Sequence, residues 1–79
     1  MLELKIITPE KIVYNGETDR VRVPGTLGEF EILTGHAPIV SSLQAGRVEY
    51  VAGGELRKLM IAGGFVEVLN NNVSLCVEC

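Results

Sequence analysis

The chain has no tryptophan and only two tyrosines and two phenylalanines among its 79 residues. That is too few for the stacking platforms on which single-stranded nucleic acids lie. Positive charge is also short: seven Lys and Arg face ten Asp and Glu, a net charge of −3. Such a balance offers no clustered basic patch to neutralise phosphates and no direct attraction to anionic headgroups. No apolar run reaches the roughly 18 residues that a membrane-crossing helix requires. The stretch Met1 to Thr8 contains Glu3 and Lys5 and lacks the apolar centre of a secretory signal. The expectation is a protein of the cytoplasmic side that meets a membrane only through a protein partner.

Groups that carry chemistry are equally sparse. His36 is the only histidine, hence the only side chain whose ordinary charge change falls near neutral pH. Ser41 and Ser42 follow it but stand in no Gly-x-Ser-x-Gly elbow. Gly25-Thr26-Leu27-Gly28 lacks the Gly-Lys-Ser/Thr ending of a phosphate-binding loop. Glu29 and Glu31 point the same way along a strand and read as a solvated face. Cys76 and Cys79 have the spacing of half a metal site, but a tetrahedral zinc needs two further ligands and His36 stands alone. A redox pair opens a helix after a strand, whereas this pair ends a strand-like segment. The two cysteines read as unpaired thiols. No nucleophile, base and orienting group can be assembled, so neither catalysis nor a cofactor nor a metal is expected.

What the chain does have is a period of two, the signature of strands. Leu2, Leu4 and Ile6 alternate with Glu3, Lys5 and Ile7. Val21 and Val23 alternate with arginines, and Val48 and Tyr50 with Arg47 and Glu49. Val66 and Val68 flank Glu67, and Val73, Leu75 and Val77 alternate with Ser74, Cys76 and Glu78. The first group of each set is expected to face one shared core. Turn signals punctuate the pattern at Pro9-Glu10, Asn15-Gly16, Pro24-Gly25, Gly35 to Pro38, Gly53-Gly54, Gly63-Gly64 and Asn70-Asn71-Asn72. Asn15-Gly16 is the strongest hairpin signal among them. This spacing predicts one all-β domain over residues 1–79, a flattened two-sheet antiparallel β-sandwich with no long helix.

Several apolar residues fall in the outward phase: Ile7, Val51, Leu56, Met60, Phe65 and Leu69. Two outcomes are open for them. Bulges and strand ends turn some inward, or a partner covers them, as contiguous exposed apolar patches often signal.

One segment is more specific than the pattern. Gly28-Glu29-Phe30-Glu31-Ile32-Leu33-Thr34-Gly35-His36-Ala37-Pro38-Ile39-Val40 resembles the epsilon subunit of bacterial F-type ATP synthases, equivalent to the mitochondrial delta subunit. Pro9-Glu10 with Gly16, Val21-Arg22-Val23-Pro24-Gly25, and Gly63-Gly64-Phe65-Val66-Glu67-Val68 before Asn72-Val73 agree in order, so the resemblance spans essentially the whole chain. It implies a non-catalytic central-stalk subunit that couples the gamma subunit to the membrane c-ring during ATP synthesis, held peripherally at the cytoplasmic face of the bacterial inner membrane. By position, Gly28, Glu29, Phe30 and His36 match the c-ring side, with His36 alternatively bonding local backbone to hold its corner. The surplus apolar residues Phe65, Leu69, Met60 and Val51 are then expected to meet gamma. The family usually continues into a C-terminal helical hairpin, which this sequence lacks beyond Cys79. Its start at Met1 favours a natural short form, in which inhibition by that hairpin is not expected; a truncated form would say nothing about regulation. Two rivals compete. A biotinyl or lipoyl carrier would need Lys58 at a hairpin tip, and an OB-like nucleic-acid binder would need the basic and aromatic residues the chain lacks.

Overall fold

The period-two segments become nine strands in the computed structural model, which describes residues 1–79. They are β1 (Leu2–Ile7), β2 (Ile12–Thr18), β3 (Arg20–Gly25), β4 (Gly28–Leu33), β5 (Ile39–Leu43), β6 (Gly46–Ala52), β7 (Glu55–Ile61), β8 (Gly63–Leu69) and β9 (Asn72–Glu78), with no helix. Pairing runs β2-β1-β9-β8-β5 and continues through β3-β6-β7, with β4 added to β3. β5 and β3 are joined at a single position, Gly25 opposite Leu43. The sheet folds over at that bridge, so a five-stranded layer faces a four-stranded one and the expected sandwich forms. All pairs are antiparallel except β1 and β9, which run parallel. That departs from purely antiparallel pairing because β1 and β9 come from opposite ends of the chain, and no hairpin dictates their direction.

All twelve alternating positions expected in the core are buried. With Ile32, Leu43, Ala52 and Ile61 they form one cluster of 16 residues drawn from both layers. Burying such a side chain contributes about 1.5–3 kcal/mol, which makes this layer of Val, Leu and Ile the main source of stability. Thr18 is the one buried polar side chain. Its hydroxyl donates to the Arg20 carbonyl (3.0 Å) and accepts from the Val51 N–H (3.1 Å), stitching the end of β2 to β6 in the other layer. The Tyr14 and Tyr50 rings meet across the same side, 5.0 Å apart.

Three turn readings need correction. Asn15-Gly16 makes no hairpin: both residues lie inside β2, opposite Lys5 and Leu4. The chain has already reversed at Thr8 to Lys11, where Pro9 takes the position its fixed φ favours. The Thr8 hydroxyl accepts from the Glu10 and Lys11 amides, and Thr8 N–H donates to the Lys11 carbonyl. Gly16 instead makes room for Tyr14, whose ring passes over it so that its hydroxyl donates to the Glu17 carbonyl. Pro24-Gly25 ends β3, and the reversal falls on Thr26 and Leu27, between the paired Gly25 and Gly28. Gly63-Gly64 opens β8, with Ala62 alone joining it to β7. A Cβ on Gly64 would collide with the Cys76 carbonyl of β9, so glycine here permits close approach of two backbones. Gly53-Gly54 and Asn70-Asn71 turn as expected, joining Ala52 to Glu55 and Leu69 to Asn72.

Candidate interaction surfaces

The β3–β4 hairpin ends in a two-residue tip. Thr26 N–H donates to the Ser42 carbonyl (3.2 Å), Gln44 N–H donates to the Pro24 carbonyl (2.9 Å), and the Thr26 and Ser42 hydroxyls bond at 2.9 Å. The tip is thereby fastened to the end of β5, and it holds Leu27 wholly in solvent, at 104% relative exposure. An apolar side chain so displayed on a tethered turn serves no packing role within the chain. Leu27 was not among the expected site residues. Its signal was the position itself, between Thr26 and Gly28 in a segment otherwise rich in turn formers.

Gly28 and Glu29 continue from this tip. Glu29 lies on the outer face of the four-stranded layer, its carboxylate 3.3 Å from the Arg22 guanidinium. Phe30 points the other way, half-buried against the core with its ring beside Gly25. His36 sits further along, in the corner between β4 and β5. Its N–H donates to the Leu33 carbonyl (3.0 Å), and its Nδ1 lies 2.7 Å from the Ala37 carbonyl. A carbonyl only accepts, so Nδ1 carries the hydrogen and Nε2 is left bare in the neutral ring. The corner is held at its base by the Gly35 N–H, which donates to Asn71 Oδ1 of the β8–β9 turn at 2.7 Å. The Phe30 and His36 rings approach to 6.5 Å.

The four residues matched to the c-ring side therefore divide. Gly28 and Glu29 belong to the tip, near the Leu43 end of β5. His36 belongs to a corner beside the β8–β9 turn, near the Ile39 end of β5. Phe30 is a packing residue between them. Tip and corner are separated by roughly the length of a five-residue strand, about 13–17 Å.

The surplus apolar residues divide too. None has turned inward: Ile7 and Val51 are half-buried, and Leu56, Met60, Phe65 and Leu69 are exposed. Phe65 and Leu69 lie on the outer face of the five-stranded layer. Val51 and Met60 lie on the outer face of the four-stranded layer, on the opposite side of the sandwich. No single flat partner surface covers all four. The two faces also differ in character. On the four-stranded layer, Arg20 pairs with Glu31 (3.6 Å), Arg22 with Glu29 (3.3 Å) and Arg47 with Glu49 (2.8 Å) around a charged hollow of about 330 Å³. On the five-stranded layer, register aligns Phe65, Cys76 and Ile7 in one row, bordering a hollow of about 350 Å³ that Pro9 and Gly64 also line. Cys76 and Cys79 are both free thiols. Lys58 lies mid-strand in β7 opposite Glu49, away from any hairpin tip, which removes the carrier-domain reading.

Residues 1–79 match the family described as ATP synthase, Delta/Epsilon chain, beta-sandwich domain. An ATP synthase epsilon chain of Leptospira interrogans is 44% identical over 77 residues, covering 98% of this chain and 61% of its own length. Another, from Nitrobacter winogradskyi, is 36% identical over 73 residues, covering 92% of this chain and 54% of its own. This chain thus spans little more than half the length of such relatives. Among solved structures, a chain of the Euglena gracilis mitochondrial ATP synthase OSCP/F1/c-ring assembly superposes with a TM-score of 0.88 at 24% identity, over 96% of this chain and 49% of that one. A chain of the Tetrahymena thermophila mitochondrial ATP synthase central stalk/c-ring superposes at 0.84 and 18% identity, over 99% of this chain and 63% of that one. At those identities the superpositions speak for the fold.

Proposed function

Since this chain belongs to the delta/epsilon β-sandwich family of ATP synthase, we propose that it is a non-catalytic rotor element of the central stalk. It links the gamma subunit to the c-ring of a proton-translocating F-type ATP synthase and is held peripherally at the cytoplasmic face of the bacterial inner membrane. In this reading residues 1–79 act as one domain. The observation that carries the proposal is the family match over residues 1–79, and the tethered tip with Leu27 in solvent supports the end at which one contact is made. An apolar projection at one end of the body and an apolar row on one broad face support a reading in which two partners are held at once.

The tip meets the loops of the ring, Glu29 through their polar groups and Leu27 through an apolar side chain among them. The outer face of the five-stranded layer, with Phe65, Ile7 and Leu69, meets gamma, because it is the face without the Arg–Glu lattice. Leu69 ends the strand that leads into the turn holding Asn71, so the His36 corner joins the gamma side rather than the ring side. Torque then passes between two contacts on one body whose layers share a single core. The chain carrying an affinity handle should copurify with both gamma and the c-ring from detergent-solubilised membranes of a cell that makes the complex. Recovery of neither partner under conditions that keep the complex intact would sink the proposal.

A further inference from the structure

We infer that Asn71 is the positioning residue of the His36 corner, holding it from across the β8–β9 turn. This rests on the proposal that the corner faces gamma. Asn71 occupies a left-handed conformation (φ 63°), which glycine adopts most readily. Its side chain adds what glycine cannot: Oδ1 accepts the Gly35 N–H at 2.7 Å, across 36 residues of sequence. Gly35 itself has φ 85° and begins the reversal that His36 completes through its bond to Leu33. The Asn71 backbone is anchored in turn, its carbonyl accepting the Glu3 N–H at 2.8 Å. The corner's base is thus pinned to a turn fixed at the start of β1. Downstream of that pin, the Ala37 carbonyl selects the His36 tautomer and leaves Nε2 free for a partner's donor.

The geometry offers a clean test. Asn71→Gly keeps the left-handed backbone and deletes only the pin. Asn71→Asp keeps both an oxygen acceptor and tolerance of that backbone. In the isolated chain, N71G should speed hydrogen exchange at the Gly35 amide by about fivefold, the factor that matches one ordinary hydrogen bond. Nitrogen NMR of His36 should change from the Nδ1–H form alone to a mixture with the Nε2–H form. Affinity for purified α3β3γ core should fall by a similar factor of about five, and N71D should restore all three readouts. Unchanged exchange and tautomer in N71G would overturn the inference outright. Loosened exchange with undiminished gamma affinity would leave Asn71 a fold residue only, and would overturn its positioning role. If the unaltered chain does not bind gamma, the functional proposal fails, while exchange and tautomer still decide whether Asn71 holds the corner.

Discussion

Phe65 is the residue on which the assignment of the two broad faces turns, and Phe65→Asp is the sharpest way to test it. The residue is 49% exposed in the isolated chain. A phenylalanine offers about 200 Å² in all, so about 100 Å² remains for a partner to cover. At about 25 cal/mol per Å², covering it contributes about 2.5 kcal/mol, or close to 70-fold in affinity. Aspartate forfeits that and adds the cost of desolvating a carboxylate, so 70-fold is a lower bound if gamma seats on this row. Folding should suffer far less. Phe65 stands over Ser42 and Cys76 on an outer face rather than among the 16 core residues, and the free chain should lose about 1 kcal/mol or less. Calorimetric titration against an α3β3γ core gives the first number, and urea denaturation of the free chain the second. Met60→Asp is the control: Met60 is 65% exposed on the opposite face, so binding should stay within about threefold of the unaltered chain, the spread left by small surface effects. Equal losses from F65D and M60D, or a fall in urea stability that accounts for the loss of binding, would refute the assignment.

Other consequences are independent of that face. Gly64→Ala should cost about 3 kcal/mol, from overpacking against the Cys76 backbone together with an unfavourable positive φ (146°). Gly53→Ala, with φ 60° and open space around it, should cost about 1–2 kcal/mol by the same urea measurement; equal losses would show that β8 and β9 do not approach as described. Thr18→Val should cost about 1–3 kcal/mol by stranding the Arg20 carbonyl and the Val51 N–H, whereas Thr18→Ser should lose less than about 1 kcal/mol. Leu27→Ser should leave urea stability within about 0.5 kcal/mol yet reduce retention of the chain on c-rings reconstituted in lipid nanodiscs. Full retention would remove the tip from the ring contact.

The core was legible because a half-buried strand has to alternate, and the alternation names its own inner positions. Leu2, Leu4, Ile6, Val73, Leu75 and Val77 declare themselves without reference to any neighbour. The outward positions carry no such label. Val51 and Phe65 share the outward phase, yet face away from each other across the sandwich. Which layer a strand joins is decided by pairings such as β5 with β8 and β3 with β6, made between segments far apart in the chain. A patch read from phase alone therefore merges two faces. Local turn rules failed for a related reason: Asn15-Gly16 suits a hairpin, but Thr8 and Pro9 reverse the chain first, and the glycine is then needed beneath Tyr14.

The site was legible only as far as matching by position reached. It groups Gly28 and Glu29 with His36, residues close in sequence, whereas in space the first two lie at the tip and His36 at the corner. β5 separates them. The residues that define each surface physically, Leu27 at the tip and Asn71 at the corner, carry no chemical signal of their own: one is an apolar residue in a turn, the other an asparagine where asparagine is common. Their placement arises from bonds between distant segments, Thr26 to Ser42 and Gly35 to Asn71. A chain can therefore keep every alternating core residue and still lose the proposed partner contacts, if those two cross-links are broken. In the proposed rotor role, where force enters at one contact and leaves at another, such cross-links are where loss of coupling should occur before loss of fold.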